Sequence, residues 1–546
     1  MTLTGRSILG SQLADARGKT FRAVNPVTGQ SLEPAYYSAS NADVHQAALA
    51  ATQAFADYSH ASGKAKAAFL RKIAEKIEAL GDDLVNRAVQ ETALPPARIK
   101  NEIGRTCFQL RLFAQVVEDG SWVGARIDRP DPNRTPIPKP DMRSLERPLG
   151  PVAVFCASNF PIAFSVAGGD TASALAAGNP VVVKAHGAHP GTAEMVGHAV
   201  RDAVRDCGLP EGVFSLIFDA GIEVGIALVN HPEIKAVGFT GSRQGGRALM
   251  DAAASRRQPI PVYAEMSSVN PVFILPGAMK ERSSEIAKGL HASVTMGGGQ
   301  FCTKPGVIVP ANDFENNAPV REFVSSFGEL MKAPAGFTLL TERIHSAYFE
   351  GIRARGAKQG INSIAQSSPD QKAAGFQVGT SLFETDAANF LRDSGFQDEI
   401  FGPSTLLVRR SSREQLLEIG RNLEGHLTAT IHGTEEDLRE FADLVALLES
   451  KVGRLIFNGY PTGLEVGHAT VHGGPYPATS DGRSTSVGTQ AIHRFARLVC
   501  YQNFPDASLP EELKNENPLS IWRLIDGQLT RDVVAGLPKA QARSSS

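Results

Sequence analysis

Four short apolar runs recur through the middle of the chain: Val152-Ala153-Val154-Phe155-Cys156, Val181-Val182-Val183, Val213-Phe214-Ser215-Leu216-Ile217-Phe218 and Ala236-Val237-Gly238-Phe239. Each is followed by a turn containing Gly or Ser, and most then by a stretch with helical spacing. A strand apolar on both faces needs cover on both faces, and alternation with helices supplies it. The pattern therefore predicts an α/β fold built on a parallel sheet. Such sheets collect their ligands at the carboxyl ends of the strands.

A second α/β block is expected from about 268 to 465, where Pro271-Val272-Phe273-Ile274-Leu275, Val307-Ile308-Val309 and Thr405-Leu406-Leu407-Val408 read as strands. Before the first sheet, Val44, Ala47, Ala48, Ala51 and Phe55 have helical spacing. Phe69, Leu70, Ile73, Ile77 and Leu80 repeat it, with Gly81 placed to end the helix. Residues 125–142, rich in Pro, Asp and Arg, read as an exposed connection or an edge hairpin.

The chain has 546 residues, enough for two or three domains, and a formal net charge of −2. That balance gives no reason to expect nucleic acid or an anionic membrane as a partner. Five scattered cysteines, Cys107, Cys156, Cys207, Cys302 and Cys500, suit a reducing compartment better than a disulfide framework. None has the spacing of a zinc site, so no metal is expected. The start of the chain lacks the pattern of a signal peptide and no apolar stretch reaches spanning length, so a cytoplasmic location is expected.

Several segments can carry chemistry. Cys302 follows Gly297-Gly298-Gly299-Gln300-Phe301, a loop whose glycines allow close approach to a ligand. Its thiol is a nucleophile if the surroundings favour the thiolate. Gly238-Phe239-Thr240-Gly241-Ser242-Arg243 joins a strand to a helix, and a helix start attracts phosphate. Lys184 ends a strand, on the ligand-binding edge. Asn159, in Ser158-Asn159-Phe160-Pro161, can donate to an oxyanion. Glu265 follows Val262 and Tyr263, where burial would raise its pKa and suit a general base. Glu399 and Phe401 can grip a ribose and pack on a planar ring. Each segment alone is weak: a buried thiol, a turn asparagine, a solvated lysine or a capping glutamate would explain it.

In this order the segments resemble the aldehyde dehydrogenase superfamily. The likeness runs from about residue 20 to 500 and includes Asn25-Pro26-Val27-Thr28-Gly29. It implies a Rossmann-type cofactor domain (1–125 and 148–266), an α/β catalytic domain (267–470), and a small oligomerisation flap with a C-terminal extension (126–147 and 471–546). A homo-oligomer, dimer or tetramer, is implied too. Cys302 would attack the aldehyde carbon, the Asn159 amide and the Cys302 N–H would hold the oxyanion, and Glu265 would activate water. Lys184 and Glu399 would bind the cofactor riboses, Phe401 would pack near the nicotinamide ribose, and Gly241 and Ser242 would lie by the pyrophosphate.

Two departures bear on the cofactor and the base. Many members have Glu-Leu-Gly-Gly-Lys around the base, whereas this chain has Glu265-Met266-Ser267-Ser268-Val269. Many also carry a glutamate three residues after the cofactor lysine, where this chain has Gly187. Losing that acid removes repulsion against a 2′-phosphate, and Arg243 is a candidate to bind it, with His186 a lesser one. NADP is the expected cofactor, with NAD also open.

The stretches 157–165 and 471–480 resemble the branch of the family that oxidises 2,5-dioxopentanoate (α-ketoglutaric semialdehyde) to 2-oxoglutarate in bacterial breakdown of sugars, sugar acids or hydroxyproline. By that resemblance Phe160, Phe164, Phe301 and His472 line the aldehyde tunnel, and Arg483 and Ser480 are candidates to meet a substrate carboxylate. An NADP-linked fatty aldehyde dehydrogenase is the alternative. A non-catalytic cofactor-binding protein and a CoA-acylating enzyme are further rivals, against which Cys302, Glu265 and Asn159 together argue.

Overall fold

The computed structural model describes residues 2–310, 317–369 and 374–534. The expected strands form the centre of a seven-stranded sheet. Its order is Val262–Glu265, Ala236–Thr240, Val152–Phe155, Val181–Lys184, Phe214–Ile217, Ile8–Leu9 and Gln12–Leu13. The first five are mutually parallel. From Val152–Phe155 the chain adds strands on one side and then on the other, so a crevice opens where the order reverses. The strand residues Val152, Val181, Val183, Leu216 and Ala236 are buried with Phe69, Leu70 and Ile73 of the helix beneath. That helix, Gly63–Glu78, stops before Gly81, which turns the chain into the next helix at φ 54°.

A second seven-stranded sheet runs Asn362–Gln366, Ser381–Asp386, Ser404–Arg409, Val307–Pro310, Val272–Ile274, His426–His432 and Val452–Phe457. It is parallel except at the Asn362–Gln366 edge. Two apolar clusters cover its two faces, one around Phe273, Leu406 and Ala429 and the other around Ile274, Leu290 and Phe323.

The segment after 125 is a hairpin, but not at an edge. Arg126–Asp128 and Met142–Pro148 pair antiparallel inside a five-stranded sheet completed by Ala496–Gln502, Arg523–Ile525 and Gln528–Thr530. The extension beyond 500 supplies two of these strands. It also supplies Leu509, Leu513 and Ile521 to a core with Ile127 and Leu145. Arg523 is fully buried there and donates to the carbonyls of Lys514, Asn515 and Asp532.

Residues 471–495, expected to belong to the flap, do something else. They run beside strand Val262–Glu265, with Met266 N–H donating to Ala478 O and Ser480 N–H to Ala264 O. The chain thus returns from the second sheet to the carboxyl end of the first before it enters the third.

Candidate active site

Cys302 lies on the loop that leaves helix Pro276–Thr295. Gly297, Gly298 and Gly299 all have φ between 58° and 68°. At Gly299 a side chain is excluded: a Cβ would stand 2.3 Å from the backbone of Gly402. The nucleophile loop therefore packs directly on the loop holding Glu399 and Phe401. Asn270 fixes it from behind, donating its amide to the carbonyls of Cys302 (2.9 Å) and Lys304 (3.0 Å).

Glu265 ends its strand beside the returning segment, which brings two partners. His472 Nε2 lies 2.8 Å from Glu265 Oε1 and 3.4 Å from Cys302 Sγ. The Ser486 hydroxyl donates to Glu265 Oε2 (2.8 Å). Thiol, imidazole and carboxylate atoms all fall within 4.8 Å of one another. Gly474, at φ 144°, permits this, since a Cβ would stand 2.3 Å from the His426 carbonyl. His472 Nδ1 is buried without a hydrogen-bond partner. A proton there would go unmet, so the tautomer carrying its proton on Nε2 and donating to Glu265 is favoured.

The electrostatics reverse one expectation. Burial by itself would push Glu265 up, but the His472 ring and the Ser486 hydroxyl outweigh it and hold the carboxyl below its usual range. Glu265 rests ionised. Cys302 shows the opposite: burial first, then the Glu265 charge, push its thiol well above the usual value, against an opposing pull from Arg105. The resting pair is a thiol beside a carboxylate.

Asn159 is buried and donates Nδ2 to the Gln300 carbonyl (3.0 Å), which sets its amide next to the Cys302 loop. Phe160 packs edge-on against Phe164 (5.1 Å) and Phe301 (5.4 Å), and Phe164 lies 6.2 Å from the His472 ring. The expected tunnel residues thus form one apolar wall leading to the thiol.

Of the expected cofactor residues, Lys184, Gly241 and Ser242 lie at the carboxyl ends of strands of the first sheet, and Glu399 and Phe401 on a loop beside the second. Lys184 Nζ donates to the Asp219 carbonyl (2.7 Å). Asp219 Oδ2 is buried without a partner, an acceptor suited to a ribose hydroxyl. Ser242 caps helix Arg243–Ala254, accepting from Gly245 N–H, and Gly241 bonds back to the Glu265 carbonyl (3.0 Å). The Glu399 carboxyl faces the Ser267 hydroxyl and the Ser268 N–H. Burial pushes it up, and the nearby Lys304 ammonium opposes that. Phe401 is half-buried beside it. An unmet carboxylate oxygen, a strand-end lysine and a helix start at the carboxyl ends of neighbouring strands together fit a dinucleotide.

Four expected roles do not match the geometry. Arg243 pairs with Glu424 (3.1 Å) and lies over the Tyr476 ring, so it ties the first sheet to the second. Gly187 instead neighbours Ala220 and Phe21, at the end of a strand separated from that of Arg243 by Val152–Phe155. Burial and His189 hold His186 neutral, so it brings no charge to a phosphate. The Arg483 side chain is 92% exposed and paired with Asp481. The Ser480 hydroxyl is taken up by Val262 O and Ala264 N. Sequence reasoning also missed Ser486, Asp219 and three arginines near the tunnel, Arg98, Arg105 and Arg454.

The aldehyde dehydrogenase family profile matches residues 13–497. The chain is 49% identical to alpha-ketoglutaric semialdehyde dehydrogenase 2 of Azospirillum brasilense, over 97% of this chain and all of that one. It is 45% identical to alpha-ketoglutaric semialdehyde dehydrogenase of Acinetobacter baylyi, over 97% and 99%. The NAD+ complex of an aldehyde dehydrogenase from Bacillus cereus superposes with a TM-score of 0.76 at 21% identity, over 91% of this chain and 96% of that one. With the profile matching residues 13–497 and a relative 49% identical over 97% of it, the chain belongs to the aldehyde dehydrogenase family.

Proposed function

We propose that this enzyme oxidises 2,5-dioxopentanoate to 2-oxoglutarate, with NADP as the preferred cofactor. The observation that carries the reaction is the contact of Cys302 Sγ with the His472–Glu265 pair. The two full-length relatives named for this semialdehyde support the substrate. The cofactor preference rests on Gly187, where no acid repels a 2′-phosphate. Lys184, Asp219, Ser242 and Glu399 would hold the dinucleotide.

The proton path follows from the resting charges. The Cys302 thiol gives its proton to the ionised Glu265. His472 Nε2–H, released from Glu265, turns to the new thiolate. Sulfur attacks the aldehyde carbon, the C=O electron pair moves to oxygen, and the Asn159 Nδ2–H and the Cys302 N–H hold that oxyanion. A nicotinamide held by the cofactor residues would supply the hydride acceptor, and loss of hydride from the adduct carbon leaves Cys302 as a thioester. Glu265, having passed the first proton to solvent, takes one from the water that attacks the thioester carbon. The C–S bond breaks and Cys302 leaves as the thiolate. Glu265 placed for this work favours hydrolysis over acyl transfer to CoA.

Among the described residues no helix is long and apolar enough to cross a membrane. The five free cysteines support a reducing cytoplasm. Strand Ala496–Gln502 lies at the edge of the third sheet with Leu498 67% exposed, which supports pairing with a second copy in a homo-oligomer. The function is tested by NADPH formation from 2,5-dioxopentanoate and from decanal. A large kcat/KM advantage for the dioxo acid is expected. An advantage for decanal would leave the mechanism and transfer the enzyme to long-chain aldehydes.

A further inference from the structure

Helix Pro96–Asp119 carries Arg98 and Arg105 seven positions apart, two turns, and hence on one face. Both guanidiniums lie over the rings of the aldehyde passage. Arg98 is 4.6 Å from the Phe160 centroid and 4.4 Å from that of Phe301; Arg105 is 5.8 Å from Phe160 and 5.3 Å from Phe164. Their charges are met differently.

Arg98 donates Nε to Glu102 (2.9 Å) and Nη2 to the Asn159 carbonyl (3.4 Å). The other Glu102 oxygen accepts the N–H groups of Ile162 and Ala163. Arg98 therefore braces the oxyanion donor and the phenylalanine turn, and Glu102 is fully engaged. Arg105 has no such partner. Among the described residues no carboxylate stands within 4.0 Å of it, and its Nε is buried without an acceptor. Arg454, on strand Val452–Phe457, also acts on Arg105 and Cys302 through its charge. Its Nη2 is held by the carbonyls of Pro461 and Gly463, and its Nε is likewise buried and unmet. The fields of both arginines reach Cys302.

Burying an arginine away from water is unfavourable unless something accepts its protons, and an aromatic face accepts none of them in the plane of the guanidinium. The protein supplies Glu102 to one arginine of this helix and nothing to the other. A planar guanidinium left in this state matches a carboxylate that arrives with the ligand. In a semialdehyde of an oxo acid, the aldehyde and the carboxylate sit at opposite ends. An acid group at Arg105 is compatible with the aldehyde lying at Cys302.

We propose that Arg105 is the specificity residue of this enzyme, binding the carboxylate of the semialdehyde, with Arg454 adding positive charge nearby. The proposal rests on the substrate reading given above. It replaces Arg483 and Ser480 as the acid-recognising groups. It also favours a short oxo acid over a fatty aldehyde, whose chain would leave Arg105 buried and unpaired.

The test compares kcat/KM for 2,5-dioxopentanoate with that for pentanal, which lacks the acid group, in the wild type, Arg105→Gln and Arg105→Lys. The wild type is expected to prefer the dioxo acid. Arg105→Gln should lower that preference at least about 100-fold, chiefly through KM for the acid, because a site built for a polar group rejects a ligand it cannot bond. Arg105→Lys keeps the charge without the fork and should fall between. A role confined to packing, or to the field at Cys302, would slow both substrates by one factor. A ratio unmoved in Arg105→Gln, with the wild type still selective, overturns the Arg105 assignment and spares the substrate. A wild type that does not prefer the dioxo acid overturns the substrate reading, and Arg105 with it. If Arg105→Gln does not fold, Arg105→Lys decides: a wild-type ratio in that variant overturns the bidentate contact.

Discussion

The two sides of Cys302 are built on opposite principles. On one side Glu265 accepts from His472 and Ser486, with the thiol beside it. On the other, aromatic rings surround Arg105, whose Nε is unmet. The two rings stabilise the charge but accept none of the in-plane N–H donors, so the substrate side holds an unmet hydrogen-bonding group. The acid–base side is complete before any ligand arrives. Under the proposed function, the complete side performs the chemistry and the incomplete side chooses what undergoes it.

The largest effects should come from the complete side. Cys302→Ala should abolish aldehyde oxidation, by at least about 10⁴-fold in kcat, while cofactor still binds. Glu265→Gln, which removes both the acceptor of the thiol proton and the activator of water, should cost about 10²–10⁴-fold in kcat, and the enzyme that does acylate should stall as a thioester, seen as a mass increase on the protein. Steady turnover in Glu265→Gln without thioester would move the water-activating role elsewhere, with His472 the next candidate.

The second effect sets the two sides against each other through one thiol. Glu265 raises the Cys302 pKa and Arg105 lowers it. Because the folded thiol lies above its usual range, iodoacetamide should alkylate the cofactor-free enzyme slowly at neutral pH. The rate should climb as pH passes above the usual range of a free thiol. Glu265→Gln removes a negative neighbour, so the climb should move to lower pH. Arg105→Gln removes a positive one, so it should move higher. A shift of one pH unit is a tenfold change in rate at fixed pH below the climb. Shifts in the same direction for both variants would remove this electrostatic account.

How legible all this was follows from what each residue contacts. Cys302, Glu265 and Asn159 stood out as members of an ordered set of segments, since each alone reads equally well as a buried thiol, a capping glutamate or a turn asparagine. The parallel strands were legible because burial on both faces leaves no polar alternation. Ser486 was not, since its role depends on a segment more than two hundred residues from Glu265 turning back along strand Val262–Glu265. The lowered pKa of Glu265 was missed for the same reason: burial was visible in Val262 and Tyr263, but the ring that outweighs it was not. Arg105 left a faint trace. Glu102, Thr106 and Gln109 put polar groups on the buried face of their helix, but the local sequence does not show what they meet. The C-terminal strands were hidden because their partners, Arg126–Asp128 and Met142–Pro148, lie far away in the chain.

The smallest effects concern the cofactor crevice, where the same contrast between met and unmet charge applies. Gly187 leaves room, since an added Cβ would meet Ala220 only at ordinary contact distance, 3.5 Å. Gly187→Glu should therefore fold, and its carboxylate should repel a 2′-phosphate, lowering kcat/KM for NADP at least about tenfold relative to NAD. An unchanged ratio would mean that the 2′ position points elsewhere. Arg243 is the reverse case. Its charge is already met by Glu424, and the pair is partly exposed, which makes such a bridge worth about 1 kcal/mol or less. Arg243→Ala should cost only a few-fold in kcat/KM, equally for NADP and NAD, through loosened contact between the first and second sheets. A loss confined to NADP would show that Arg243 leaves Glu424 when the nucleotide binds and takes the 2′-phosphate in its place.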